Sequence, residues 1–142
     1  MPHQISVFME NHPGKLERVT GLLAEGSINI RAITIADSGD FGILKLLVDD
    51  PKATYNMLTE NGLVVALREV VAIKISDAPG ALLGIARLLA RHGINIDDAY
   101  GFVLESGVAA VFVIQVEDPA GTSEILTEEG IELLKDEDLY YL

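Results

Sequence analysis

The chain contains neither cysteine nor tryptophan, and Lys and Arg are scarce beside Asp and Glu. The lack of cysteine excludes disulfides, thiolate metal sites and cysteine nucleophiles. Ten basic against 22 acidic residues give a net charge of −12, which argues against nucleic acid as a partner, because phosphate backbones are bound by clustered Lys and Arg. No apolar run approaches the roughly 20 residues that cross a bilayer, and the start lacks the basic segment and cleavage site of a signal peptide. We therefore expect an acidic cytoplasmic protein that does not enter a membrane.

The sequence contains an internal repeat. Pro13-Gly14 recurs 66 residues later as Pro79-Gly80, and Ile28-Asn29-Ile30 recurs at the same spacing as Ile94-Asn95-Ile96. A shared spacing across separate motifs is typical of duplication, which has to be recognised before any fold is assigned.

The spacing then rises to 68, because the second copy has two additional residues before its hairpin turn, and Asp50-Pro51 matches Asp118-Pro119. An insertion before a turn, with register restored on both sides, indicates that a folded unit was duplicated. We predict two units, residues 1–69 and residues 70–142, the second carrying a short C-terminal tail.

Each copy shows the same pattern of elements. Alternating apolar residues predict a first strand, and residues 14–25 predict a helix opened by Pro and closed by Gly. β-Branched runs around a Ser-Gly turn predict a hairpin, a second helix starts after Asp-Pro, and last strands follow Gly62 and Gly130. The order β-α-β-β-α-β predicts an α+β fold of two tandem ferredoxin-like units, each with its helices on one face of an antiparallel sheet.

One predicted strand of the second copy is apolar on both sides. Phe112 and Ile114 point one way, and Val111 and Val113 point the other. Such a strand is buried on both faces, and a unit of about 70 residues is near the lower limit for an independent core. We infer that the two copies pack together and that the protein forms a dimer.

The turn between the first strand and first helix of each copy is the strongest candidate for a binding site. A helix N-terminus presents unpaired N–H groups and a partial positive charge to an anion, and Gly14 or Gly80 lets a ligand approach the backbone. Asn11 or Asp77 could accept hydrogen bonds from an ammonium group, so together the turn meets both needs of a free amino acid. The alternative is simple helix capping by these side chains.

The Asn of each Ile-Asn-Ile segment is the second candidate. Asn is a poor strand former, so Asn29 and Asn95 either satisfy backbone groups at a strand start or reach a ligand across an interface. Tyr100 and Phe102 are interpreted as packing residues that could border a ligand. His3, His12 and His92 lack metal-ligand spacing, so we expect no metal.

These motifs resemble those of the ACT domain, a small-molecule sensing module of amino-acid metabolism. The resemblance rests on Asx-x-Pro-Gly-x-Leu followed by Ile-Asn-Ile in both copies, and it extends from residue 4 to about residue 135. It implies units paired side by side into one eight-stranded sheet, and a ligand, usually an amino acid, between paired units. It leaves no catalytic domain in the chain and implies a homodimer.

The resemblance also implies ligand-binding residues, with the Asn of Ile-Asn-Ile contributed by the paired unit. The first loop is the more polar of the two and is favoured as the functional one. The implied residues are Asn11, His12, Pro13, Gly14, Lys15, Leu16, Asn29 and Ile30 in the first copy, and Asp77, Ala78, Pro79, Gly80, Ala81, Leu82, Asn95 and Ile96 in the second.

Three classes of function are open to such a chain. The leading hypothesis is a non-catalytic sensor that binds a free amino acid and modulates a partner enzyme of amino-acid metabolism, without a cofactor. A structural module without a ligand is the second. A small enzyme using the carboxylates of Glu10, Asp37 and Asp77 is the third, although the sequence has no phosphate loop, no HExxH motif and no evident nucleophile–base pair.

Overall fold

The structure, a computed structural model, describes residues 1–140, so Tyr141 and Leu142 at the end of the predicted tail lie outside the described residues. Two compact units are present. The first comprises His3–Arg68 together with residues 137–140, and the second comprises Met1–Pro2 together with Glu69–Asp136. Each unit therefore includes a short segment from the opposite end of the chain.

The first unit follows the predicted order of elements. They are β1 (His3–Glu10), α1 (Lys15–Glu25), β2 (Ile30–Ser38), β3 (Phe41–Val48), α2 (Pro51–Glu60) and β4 (Val64–Glu69). The strands form one sheet in the order β2-β3-β1-β4, and β3 pairs antiparallel with both β1 and β2. The core is built from one side of β1 and β3 and the inner faces of both helices, and it contains Ile5, Val7, Val19, Leu23, Leu44, Leu46, Val48, Leu58 and Leu63.

The second unit repeats this arrangement. Its elements are β5 (Val71–Ser76), α3 (Ala81–Arg91), β6 (Asp98–Glu105), β7 (Ala109–Gln115) and α4 (Pro119–Glu128), after which α5 (Asp136–Tyr140) begins. The antiparallel sheet has the order β5-β7-β6. In β7, Val111 and Val113 are each 1% exposed and Ile114 is 0% exposed, which confirms the prediction that this strand is buried on both faces.

The last predicted strand of the second unit is reduced to a single bridge. Ile73 pairs with Leu133, flanked by the bonds Lys74 N–H to the Glu132 carbonyl (3.0 Å) and Leu134 N–H to the Ala72 carbonyl (2.9 Å). The segment after Gly130 is short, because α5 begins at Asp136. The described residues thus form a four-stranded and a three-stranded sheet, and the structure does not show the single eight-stranded sheet that the resemblance implied.

The second helix of each unit begins in the same way. The Asp50 carboxylate accepts a hydrogen bond from the Ala53 N–H (3.1 Å), and the Asp118 carboxylate accepts one from the Gly121 N–H (3.0 Å). Proline follows each Asp in the first turn, where no N–H is needed. No helix within residues 1–140 combines the length and the apolar character required to cross a membrane.

We expect Asp50→Ala and Asp118→Ala each to lower the free energy of unfolding by about 0.5–2 kcal/mol, since each removes a side-chain cap. Urea denaturation followed by circular dichroism measures this loss. Glu60→Ala, a change at an exposed position of α2, is the control and should leave stability nearly unchanged. A loss in the control as large as in the two cap variants would contradict the capping role.

Candidate functional site

The first helix of each unit begins at a glycine in the left-handed conformation. Gly14 has φ 91° and Gly80 has φ 85°, and in neither helix does a side chain cap the N-terminus. Asn11 and Asp77 therefore do not cap these helices, and the capping alternative is wrong. The first-turn N–H groups of both helices are left without a side-chain acceptor, which is the arrangement that suits a bound anion.

Asn11 instead ties its loop to the hairpin turn of the first unit. Its amide N–H group donates to the Asp37 carboxylate (2.8 Å) and to the Gly39 carbonyl (3.2 Å), and its carbonyl oxygen accepts from the Lys15 ammonium. The Asn11 backbone N–H also donates to the Asp40 carbonyl (2.8 Å). Asn11 thus holds the strand-to-helix loop against the turn between β2 and β3.

Asp77 links the loop to the hairpin turn of the second unit in the equivalent way, but its side chain accepts a hydrogen bond where that of Asn11 donates. Its carboxylate accepts from the Gly107 N–H (2.7 Å), and Gly107 corresponds to Gly39 in the repeat. In the first unit the Gly39 N–H is instead accepted by Asp37 (3.0 Å). Because the first turn supplies its own carboxylate, its loop residue has to be a donor. This difference accounts for Asn in one loop and Asp in the other.

The first loop opens onto a concavity of about 490 Å³. Three of the predicted residues, His12, Gly14 and Lys15, line it. Together with them, the end of β1, the first turns of α1, the start of β3 and the turn before β4 form its walls, which include Phe8, Met9, Glu10, Arg18, Phe41, Gly62, Leu63 and Val64.

The remaining loop residues lie beside this concavity or point to solvent. Asn11 and Pro13 are exposed, and Leu16 is 39% exposed. In the second loop Asp77 is half-buried, and Leu82 is 48% exposed. Ala78, Pro79 and Gly80 are exposed, and Ala81 is half-buried.

Arg18 and Phe41 were not identified from the sequence as site residues. The Arg18 guanidinium donates to the Asn61 carbonyl (2.9 Å), and Phe41 is 60% exposed at the start of β3. A comparison of the two copies would have indicated both residues. Under the repeat, Arg18 corresponds to Gly84, and Phe41 corresponds to Ala109.

The two loops consequently differ in the chemistry of the side chains around them. Four of the polar or aromatic residues that the first copy places here are replaced in the second by small neutral residues, whereas Phe8 corresponds to Lys74. His12, Lys15, Arg18 and Phe41 correspond to Ala78, Ala81, Gly84 and Ala109. The first loop is thus the more polar, as the sequence indicated.

The Asn of each Ile-Asn-Ile segment does not join the loop of its own unit. Asn29 is exposed and its backbone N–H donates to the Asp49 carboxylate (3.0 Å). The Asn95 amide donates to the Asp97 carboxylate (3.0 Å), and Asn95 lines a different concavity beside Asp118. Each Asn follows the C-terminus of a helix of 11 residues, about 16 Å from the loop at the other end.

The neighbouring isoleucines have a packing role. Ile30 packs against the core of the first unit, and Ile96 packs against that of the second. The described residues contain no group of three or more His, Asp or Glu side chains that could hold a metal ion. His92 Nε2 lies 3.3 Å from the Glu129 carboxylate, close to the C-terminus of α3.

The model of the ACT domain pair matches residues 1–142. The chain belongs to the ACT domain pair family. A pair of ACT domains thus occupies residues 1–142, which supports the expectation of a non-catalytic protein. Membership in this family confirms the resemblance to the ACT domain that was based on the Pro-Gly and Ile-Asn-Ile motifs.

Solved structures share the fold of this chain. Protein BT0572 from Bacteroides thetaiotaomicron is similar at a TM-score of 0.92 and 37% identity, over 99% of this chain and 96% of that one. The regulatory subunit of aspartate kinase from Thermus thermophilus, in a ligand-free form, has a TM-score of 0.66 and 19% identity over 89% and 91% of the two chains. At that identity the second likeness shows the fold alone.

A curated relative matches over a shorter segment of the ACT chain. The acetolactate synthase small subunit of Buchnera aphidicola is 41% identical over 49 residues, which are 34% of this chain and 31% of the relative. The matched segment thus spans about a third of that protein.

Tyr100, a candidate ligand contact, is half-buried on β6 of this ACT protein. Its hydroxyl oxygen is enclosed and has no hydrogen-bond partner among the described residues. Burial raises the pKa of the Tyr100 phenol above its usual range, and the neighbouring Asp98 carboxylate adds to the rise. Phe102, two residues along the strand, is also half-buried.

We expect Tyr100→Phe to be neutral or slightly stabilising at pH 8, because it removes a buried hydroxyl without a partner. The raised pKa means that the unfolded chain loses the proton first, so Tyr100 contributes a loss of stability as the pH rises above about 10. Urea unfolding at pH 8 and pH 10.5 should show a smaller decrease for the variant than for the wild type. A variant less stable than wild type at pH 8 by more than about 1 kcal/mol would show that the hydroxyl is bonded.

Because Asn11 donates to its hairpin turn and Asp77 accepts from its own, exchanging the two residue types should have unequal effects. We expect Asn11→Asp to lower the free energy of unfolding by about 1 kcal/mol or more, because the new carboxylate faces Asp37 and cannot donate to it. Asp77→Asn keeps an acceptor for the Gly107 N–H and should cost less. Urea denaturation of both variants at pH 7 measures the difference, and equal losses would contradict the assigned polarity.

Proposed function

We propose that this ACT domain pair is an amino-acid sensor that binds a free amino acid at the loop between β1 and α1 and modulates a partner enzyme of amino-acid metabolism. The observation that carries the proposal is the N-terminus of α1, which opens beside the concavity lined by His12, Gly14 and Lys15 and has no side-chain cap. The Lys15 N–H donates to the His12 carbonyl (3.4 Å), and the N–H groups that follow it in the first turn suit a carboxylate. Glu10 at the wall of the same concavity is a partner for the ammonium group.

The loop geometry supports a role in which the backbone contacts the ligand. An added Cβ atom at Gly14 or Gly80 would meet no other atom within 4 Å, so space is open on the ligand side of each glycine. The ties from Asn11 and Asp77 hold the loops in place before a ligand arrives. A preorganised loop reduces the ordering cost of binding.

The proposal assigns the first loop as the functional one and the remaining residues as supporting groups. Asn29 and Asn95 are proposed to act from a paired unit, since each lies at the far end of the helix in its own unit. The full proposed set is Asn11, His12, Pro13, Gly14, Lys15, Leu16, Asn29 and Ile30, with Asp77, Ala78, Pro79, Gly80, Ala81, Leu82, Asn95 and Ile96 as its counterparts.

The partner enzyme is inferred from the named relatives. A regulatory subunit of aspartate kinase and a small subunit of acetolactate synthase each belong, by name, to an enzyme with another component. We propose the same division of labour here, in a cytoplasmic homodimer. A ligand would act by binding two states of the assembly with different affinities, because equal binding shifts no equilibrium.

The test is a thermal-shift panel of the common amino acids at millimolar concentration. A ligand at 100 times its Kd adds about 2.7 kcal/mol, which raises the melting temperature of a chain of this size by roughly 5–10 °C. A flat panel would contradict the sensor and favour a structural module.

Gly14→Ala and Gly80→Ala form a matched pair that locates the site. Both place a Cβ in left-handed backbone with similar φ and the same open space, so both should cost about 1–2 kcal/mol in strain. Only Gly14→Ala should lose the ligand-induced shift, because its Cβ stands at the functional loop. Loss in Gly80→Ala alone would move the site to the second unit.

A further inference from the structure

The concavity beside the first loop carries more positive charge than a neutral amino acid can balance. Lys15 and Arg18 line it against a single carboxylate, that of Glu10, and the N-terminus of α1 adds about half a positive charge. These two cations come from a chain with only ten Lys and Arg and a net charge of −12. The wall therefore has a local excess of about one and a half positive charges, in a chain whose net charge is negative.

The second unit serves as an internal control for a purely structural role. Its loop begins α3 at a left-handed glycine and is tied to its hairpin, as the first loop is. It does so with Ala81 and Gly84 at the positions of Lys15 and Arg18. The fold of the loop consequently does not require either cation.

Both cations keep donors available after their internal bonds are counted. Lys15 donates to Asn11 and Arg18 donates to the Asn61 carbonyl, while an ammonium group has three N–H donors and a guanidinium has five. They are three residues apart on α1, so their side chains share one face of the helix. Two neighbouring cations with spare donors suit an anionic group on a ligand.

Apolar side chains also line the concavity. Phe8, Phe41 and Val64 are 39%, 60% and 66% exposed, and they lie on the strands that border it. Apolar walls suit the methylene groups of a ligand. They also weaken solvent screening, which makes an unbalanced charge beside them more costly.

We propose that the ligand of the first loop is an amino acid with an acidic side chain, an inference that rests on the proposed function. The N-terminus of α1 binds the α-carboxylate and Glu10 binds the ammonium group. Lys15 and Arg18 bind the side-chain carboxylate. The net charge of −1 on a dicarboxylic amino acid offsets most of the excess positive charge of the site, whereas an amino acid with a neutral side chain offsets none of it.

Isothermal titration calorimetry of the full chain with glutamate, aspartate, glutamine, asparagine and glutarate tests the proposal. One of the two acidic amino acids should bind about tenfold or more tightly than its amide, a difference of about 1.4 kcal/mol. Glutarate, which has both carboxylates but no ammonium group, should bind more weakly than glutamate because Glu10 loses its partner.

Arg18→Gln is the decisive variant, and Arg87→Gln on the exposed face of α3 is its matched control. Arg18→Gln should weaken binding of the acidic amino acid about tenfold and weaken binding of its amide less, because the amide carries no charge for Arg18 to balance. Arg87→Gln makes the same charge change outside the concavity and should alter neither affinity. Melting temperatures without ligand separate lost binding from the loss of the bond to Asn61.

Each of the other outcomes contradicts either the acidic ligand, the amino-acid sensor or both. An amide that binds as tightly as its acid, or an equal effect of Arg87→Gln, overturns the acidic ligand and leaves the sensor intact. Glutarate that binds as tightly as glutamate overturns the amino-acid sensor while the anion site stands. If no compound binds here and the wider amino-acid panel is also flat, the sensor and the acidic ligand fail together.

Discussion

The hydrogen bonds between the strand-to-helix loop and the hairpin turn fix the part of each unit on which the candidate site depends. In the first unit Asn11 holds Asp37 and Gly39, and in the second Asp77 holds Gly107. These bonds use the side chains that would otherwise cap the helix, and a left-handed glycine takes the N-cap position instead. The helix end is left open as a consequence, and the open end is the feature that a ligand can use.

Duplication allowed one copy to change while the other kept the scaffold. Both loops keep the glycine and the hydrogen bond to the hairpin, yet Lys15, Arg18 and Phe41 of the first copy have small neutral counterparts in the second. Two sites in one chain would respond to ligand as a pair, whereas one site gives a response with a single affinity. The difference between the copies therefore bears on how steeply the proposed sensor would respond to an amino acid.

Much of the fold could be predicted from the sequence because the repeat doubles each signal. Asp50-Pro51 and Asp118-Pro119 marked helix starts that the structure confirms, and the apolar run around Val111 and Val113 indicated burial on both faces. The reduced strand after Gly130 was predicted as a full strand from the repeat alone. Gly130 repeats Gly62, but Glu132 and Lys135 stand where β4 has Val64 and Leu67, and α5 begins at Asp136.

The candidate site was less predictable because its residues come together through tertiary contacts. The Pro-Gly motif located the loop, but the role of Asn11 depends on Asp37 and Gly39, which are more than 20 residues away and meet it only through strand pairing. Arg18 and Phe41 belong to no motif and enter the site from a helix and a strand start. Local patterns identify such residues only when the two copies are compared.

The segment at residues 137–140 bears on the order in which the chain folds during synthesis. Tyr140 accepts a hydrogen bond at its hydroxyl from the His3 N–H (3.1 Å) and at its carbonyl from the Arg31 guanidinium (2.7 Å), and Leu139 is fully buried. At about 5–20 residues per second, the ribosome makes this segment several seconds after Arg68. The first unit is thus translated first, but it can form its contacts with residues 137–140 only after the second unit has been synthesised.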